Sequence, residues 1–123
     1  MGALQGCSIG FWGGIDNLSH WEETDYDPDD LFNTIFGRIA SEPSSTLFVS
    51  VNLPGGGTPP NTNNLIRQSV AALLNASHPD INFQLTPQEV ITQFQVAWDG
   101  GQATRTAQGE LFDQLNTLGC PLS

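Results

Sequence analysis

Lysine is missing from all 123 residues, and three arginines, Arg38, Arg67 and Arg105, stand against 13 acidic side chains for a formal charge of -10. Neutralising a phosphate backbone takes Lys or Arg, so nucleic acid is a poor partner class, and the same charge opposes anionic membrane surfaces. Long apolar runs are missing too. No stretch approaches the roughly 20 residues that carry a helix across a bilayer, which argues against membrane insertion. The first residues lack a basic start followed by an apolar run, so an export signal is expected upstream of this segment. Acidic, lysine-free surfaces also occur where salt screens self-repulsion, so a halophilic origin fits the same composition.

Gly6-Cys7-Ser8-Ile9-Gly10 has the Gly-x-Ser-x-Gly spacing, but no predicted strand leads into it as a serine-nucleophile turn requires. The run LPGGGTPP lacks the Gly-Lys-Ser/Thr that holds a phosphate and its metal, so it reads as a tightly turned linker.

What is present is a chain with 38% hydrophobic and only 13% charged residues. The balance is made up by Asn, Gln, Ser, Thr, Gly and Pro, a mixture typical of secreted or surface-displayed proteins. The length suits one domain over residues 1–123. Within it, residues 1–27 read as a Gly-, aromatic- and acid-rich ordered loop, and residues 28–123 as a helical core.

In YDPDDLFNTIFG, Asp27 can cap, Pro28 suits the first helical position, and Asp29 and Asp30 favour the positive helix start. Leu31, Phe32, Ile35 and Phe36 then share one face, and Gly37 can close the helix. Residues 45–53 stay ambiguous: Leu47, Val49, Val51 and Leu53 alternate like a strand, while Leu47, Phe48 and Val51 share a helical face. The Gly55–Gly57 run and Pro59-Pro60 end that segment.

NTNNLIRQSVAALLNASHP repeats Leu65, Ile66, Ser69, Val70, Leu73 and Leu74 at helical spacing, and His78-Pro79 stops it. Thr86, Pro87 and Glu89 then make a capping box with proline at the first position, followed by Val90, Ile91, Phe94, Ala97 and Trp98 on one face. Gly100-Gly101 ends this helix. A last one runs to Gly119 with Leu111, Phe112, Leu115 and Leu118 facing inward. The expected fold is therefore mainly α, with about four helices and long ordered Gly/Pro-rich loops.

Cys7 and Cys120 can be reduced core residues, a metal pair or a disulfide. Each sits beside Gly or Pro in a predicted loop, which argues against helix-core packing. His20 and His78 have no ligand spacing with either cysteine. A disulfide joining the two ends is the favoured reading, with free thiols as the alternative, and a bond would imply an oxidising compartment.

In order along the chain, Gly6-Cys7, Gly10-Phe11-Trp12, Asp27-Pro28-Asp29 with Phe36-Gly37 and the glycine run from Gly55 form a pattern. It continues through Val70-Ala71-Ala72-Leu73-Leu74-Asn75, Glu89-Val90-Ile91 and Leu118-Gly119-Cys120-Pro121-Leu122. The pattern resembles a module of bacterial and metagenomic extracellular and cell-surface proteins that begins with Gly-Cys and Gly-aromatic-Trp and ends in Leu-Gly-Cys-Pro-Leu. The module usually carries a lysine after the Trp, where Gly13-Gly14 stand here, so any role of that lysine does not transfer. The resemblance covers almost the full chain and implies an extracellular appended or self-assembling module rather than a reaction.

Candidate site residues fall into four groups. Phe11, Trp12 and Trp21 can form a platform for sugar rings, with Asp16, Asn17 or Glu22 as hydroxyl partners, or they can fill the core. Asp25, Asp27, Asp29 and Asp30 crowd together as weak Ca²⁺ candidates, although Asp30 and Phe36 occupy positions where a calcium loop needs Gly and Glu. His20 can act as a general base oriented by Asp16 or Glu22, with no third element at recognisable spacing. Asn17 and Asn75 fit the N-glycosylation acceptor pattern.

The expected function is a non-enzymatic extracellular or cell-surface module for structural display, adhesion or homomeric assembly, needing no cofactor. Its partners would be further copies, in an oligomer or filament, or a surface glycan. A carbohydrate- or calcium-dependent binding module is the alternative, and a hydrolase using His20 with an acidic partner a distant one.

Overall fold

The computed structural model describes residues 2–55 and 62–122. In chain order these form α1 (Ile9–Trp12), a 3-10 turn (Ile15–Asn17), α2 (Leu18–Trp21), α3 (Phe32–Phe36), α4 (Leu47–Val51), α5 (Thr62–Ser77), α6 (Pro87–Asp99) and α7 (Gln102–Asn116). The chain is mostly helical with no strand among the described residues, as its sequence predicts. Isolated bridges join Gly6 to Gly119 and Leu31 to Thr46. No described helix is long and apolar enough to cross a membrane.

α5 is the central element because none of its residues is fully exposed. Its apolar stripe is buried, and so are Gln68, Ala71, Ala72 and Asn75 between the stripe residues. A helix covered nearly all round packs on several sides, and α7, α6, α4 and α1 all lie against it. α6 begins as expected: the Thr86 hydroxyl accepts from the Glu89 N–H while the Glu89 carboxylate accepts from the Thr86 N–H. Val90, Phe94 and Ala97 then bury against the core, and Phe94 meets Phe32 and Phe36 at ring separations of 5.4 and 5.0 Å.

Two local expectations are corrected here, one is met and one open reading is resolved. The opening loop is wound into α1, the 3-10 turn and α2, with the Ser8 hydroxyl capping α1 by accepting from the Phe11 N–H. Asp27 caps no helix; it closes a turn with Asp30, and α3 begins only at Phe32, after Leu31 has bridged to Thr46 in extended conformation. Gly37 closes α3 as expected, at φ 69°, a conformation glycine adopts without strain. The ambiguous segment is helical, because Thr46 caps it by accepting from the Val49 N–H, and Leu47 and Val51 bury.

α7 stops at Asn116, short of Gly119, and leaves Leu111 and Leu118 exposed while Phe112 and Leu115 bury. Beyond it the chain turns to pair with the N-terminal arm and to complete the Cys7–Cys120 disulfide, Cα to Cα 4.4 Å. Gly6 is required there: a Cβ at this position would overlap the Leu115 carbonyl oxygen. The run Gly56, Gly57, Pro59 and Pro60, expected to lack regular structure, lies outside the described residues.

Candidate functional site

The glycine-rich opening is held by an interior polar hub. Asn75 Oδ1 accepts from the Cys7 N–H and from the Trp12 indole N–H, each at 2.9 Å, while its Nδ2 donates to the Cys7 carbonyl and to Asn116 Oδ1. Asn116 Nδ2 passes the network on to Gln68. Trp21 donates its indole N–H to the Trp12 carbonyl at 3.1 Å and packs edge-on to Trp12.

Trp12 and Trp21 are therefore fully enclosed core side chains with their polar atoms satisfied internally, and they offer no face to a sugar. Asn75 is likewise corrected as a glycan acceptor, since it is fully buried and all its amide positions are in use. Asn17 stays half-buried and donates to the Phe11 carbonyl, and Asp16 stands exposed in the 3-10 turn. Of the expected aromatic platform, only half-buried Phe11 remains near solvent, 5.3 Å from the His20 ring.

The structure assembles one cluster that sequence reasoning missed. Glu23 Oε1 lies 3.4 Å from His20 Nδ1 and 3.0 Å from His78 Nε2, and the three ligand-capable atoms lie within 4.8 Å of one another. Glu23, rather than Asp16 or Glu22, is thus the acid beside His20. Its carboxyl is held below the ordinary 4.5, first by the hydrogen bond from His78 and then by that from His20.

The state of His78 follows from its neighbours. The Asp80 backbone N–H can only donate, and it points at His78 Nδ1 at 3.0 Å. Nδ1 must therefore accept, so Nε2 carries the proton and donates it to Glu23. A metal on Nε2 would have to drive that proton onto Nδ1, against the Asp80 N–H. This buried imidazole, with no exposed side-chain surface, is built as a hydrogen-bonded clasp between the end of α5 and the turn after α2.

The aspartates of the acidic run are spread among separate tasks. The Asp25 N–H donates to the Ser77 hydroxyl, while Asp27 and Asp30 hold their own turn. Among the described residues, none of Asp25, Asp27, Asp29 and Asp30 joins a group of three ligand-bearing side chains.

Asp27 and Asp29 instead border a groove of about 610 Å³. Leu18, Pro28 and Phe48, all half-buried, and Val49, 51% exposed, supply its apolar surface. Thr46 and the exposed carboxylates of Glu22, Asp27 and Asp29 complete it. Backbone bonds from Leu47 N–H to the Asp30 carbonyl and from Phe48 N–H to the Pro28 carbonyl fix α4 beside the acidic turn.

No arginine neutralises these acids. Arg38 makes a bidentate pair with Asp99, Arg67 donates to Asn64, and Arg105 donates to the Trp98 carbonyl and stacks 3.8 Å from the Trp98 ring centre. In comparisons with known proteins, no family model, no curated protein and no solved structure matches this chain.

Proposed function

We propose that this chain is a disulfide-clamped, non-enzymatic recognition module that works outside the cytoplasm, in surface display or adhesion, with the groove between α2 and α4 as its contact surface. The observation that carries the reading is that groove: apolar side chains left open to solvent beside three carboxylates that none of the three arginines neutralises. Trp12 and Trp21 of the opening, together with His20 and His78, are already engaged with Asn75, with Glu23 and with backbone, so their chemistry goes into holding the fold. The Cys7–Cys120 bond supports an oxidising location. Homomeric assembly is the weaker form of the proposal, because a second copy would bring the same negative charge to an acidic surface.

The test uses intact cells of the native host. An antibody to the folded domain should stain them without permeabilisation, and beads coated with the domain should adhere to them. Val49→Arg in the groove should abolish adhesion, while Val96→Arg, on the exposed side of α6, should not. Staining only after permeabilisation, or adhesion indifferent to Val49→Arg, contradicts the proposal.

A further inference from the structure

We infer that the groove between α2 and α4 takes a basic, amphiphilic peptide segment: an Arg or Lys side chain set among Glu22, Asp27 and Asp29, with a neighbouring apolar side chain against Leu18, Phe48 and Val49. The inference rests on the recognition reading above and names the ligand class of that same surface.

Three observations point to this occupant. The groove's volume of about 610 Å³ falls in the range of roughly 300–1,000 Å³ typical of ligand sites and is more than one side chain fills. Its charged groups are all of one sign, and the three arginines are engaged elsewhere, so the surface is complementary to a cationic ligand. Its apolar part is substantial, since half-buried Leu18 and Phe48 and exposed Val49 offer surface that a bare polyamine or a metal ion would leave wet. A peptide alternating basic and apolar residues satisfies both demands at once.

The surface is also rigid enough to be selective. Phe48 packs on the buried Trp21 at a ring separation of 6.2 Å, and the Asp27–Asp30 turn is closed by hydrogen bonds from the Asp27 and Asp29 N–H groups. A peptide therefore meets a largely formed site. Trp21, one ring away, reports on its arrival.

The experiment is fluorescence anisotropy with three labelled nonapeptides, alternating Arg/Leu, Arg/Ser and Glu/Leu, against the oxidised protein in 20 and 300 mM NaCl. The expected result is binding of the Arg/Leu peptide and at least tenfold weaker binding of Arg/Ser. Glu/Leu should not bind, and affinity should be lost at the higher salt as the charges are screened. Glu22→Gln with Asp29→Asn, two exposed acids that hold no other side chain, should weaken Arg/Leu binding at least tenfold. Val49→Arg should abolish it, with unchanged thermal unfolding showing that both variants fold.

Equal binding of Glu/Leu, indifference to both variants, or no binding of Arg/Leu at 100 µM protein overturns the inference. So does displacement of Arg/Leu by 1 mM Ca²⁺ but not by 3 mM NaCl, which would assign the carboxylates to a metal. If bead adhesion to host cells depends on Val49 while the basic peptides fail, the ligand class is wrong and the recognition reading stands. If peptides bind while adhesion ignores Val49, the reverse holds.

Discussion

The indole N–H of Trp12 donates to the side-chain carbonyl of Asn75 at 2.9 Å across 63 residues of chain, and both side chains are fully buried. The bond ties the glycine-rich opening to the last turn of the central helix. Asn75→Ala strands two buried donors, the Trp12 indole and the Cys7 N–H. At roughly 1–3 kcal/mol for each unsatisfied buried group, the expected loss is about 2–6 kcal/mol, a large share of a typical domain's stability. Urea unfolding followed by Trp fluorescence measures it, and a loss below about 1 kcal/mol would show that the hub is dispensable.

The Cys7–Cys120 bond closes a loop spanning 113 residues. Chain-entropy reasoning assigns about 4.7 kcal/mol to a loop near 100 residues. The double variant Cys7→Ala/Cys120→Ala should lose a stability of that order, read from the urea midpoint. Gly6→Ala should also destabilise the oxidised protein by pushing the N-terminal arm off the end of α7.

The hydrogen bond from the Asp80 N–H fixes His78 as the tautomer with its proton on Nε2. Long-range ¹H–¹⁵N correlation at pH 7.5 should show a protonated Nε2 and an unprotonated Nδ1 for this residue. Equimolar Zn²⁺ should leave the His78 signals in place. A shift of His78 to the other tautomer on adding zinc would make the cluster a metal site.

Glu23 titrates below its ordinary 4.5 in the folded state because His78 and His20 hydrogen-bond its carboxylate. A lowered folded pKa means stability that is present above about pH 4.5 and lost as pH falls through the lower folded value. Melting temperature followed from pH 6 to pH 3 should therefore fall more steeply in the wild type than in Glu23→Gln. Parallel slopes would show that the carboxylate gains nothing from the two imidazoles.

The parts of this fold legible in the sequence are those set by near neighbours. The α5 stripe, the Thr86–Glu89 capping box and the Gly37 stop each lie within a few turns of chain, and each forms as the pattern indicates. The pairing of the two cysteines was the favoured reading because a metal pair ran short of ligands and both cysteines lay in predicted loops, and the bond is formed. The opening was misread because its order comes from contacts with Asn75 and His78, more than 50 residues away, rather than from any period of its own. Segment 45–53 carried both periods at once, and the Thr46 cap decided between them. The groove was invisible for a similar reason: Leu18, Asp29 and Val49 come from three segments that meet only when α4 bonds back to Pro28 and Asp30.

The most direct test of the recognition surface is a ¹H–¹⁵N titration of the oxidised, isotope-labelled protein with the Arg/Leu peptide. The account predicts shifts concentrated at Leu18, Glu22, Asp29, Thr46, Phe48 and Val49, with the Trp21 indole responding and the exposed side of α6 around Val96 silent. Shifts centred on Val96 or on His20, or an unchanged spectrum at tenfold peptide excess, would contradict it.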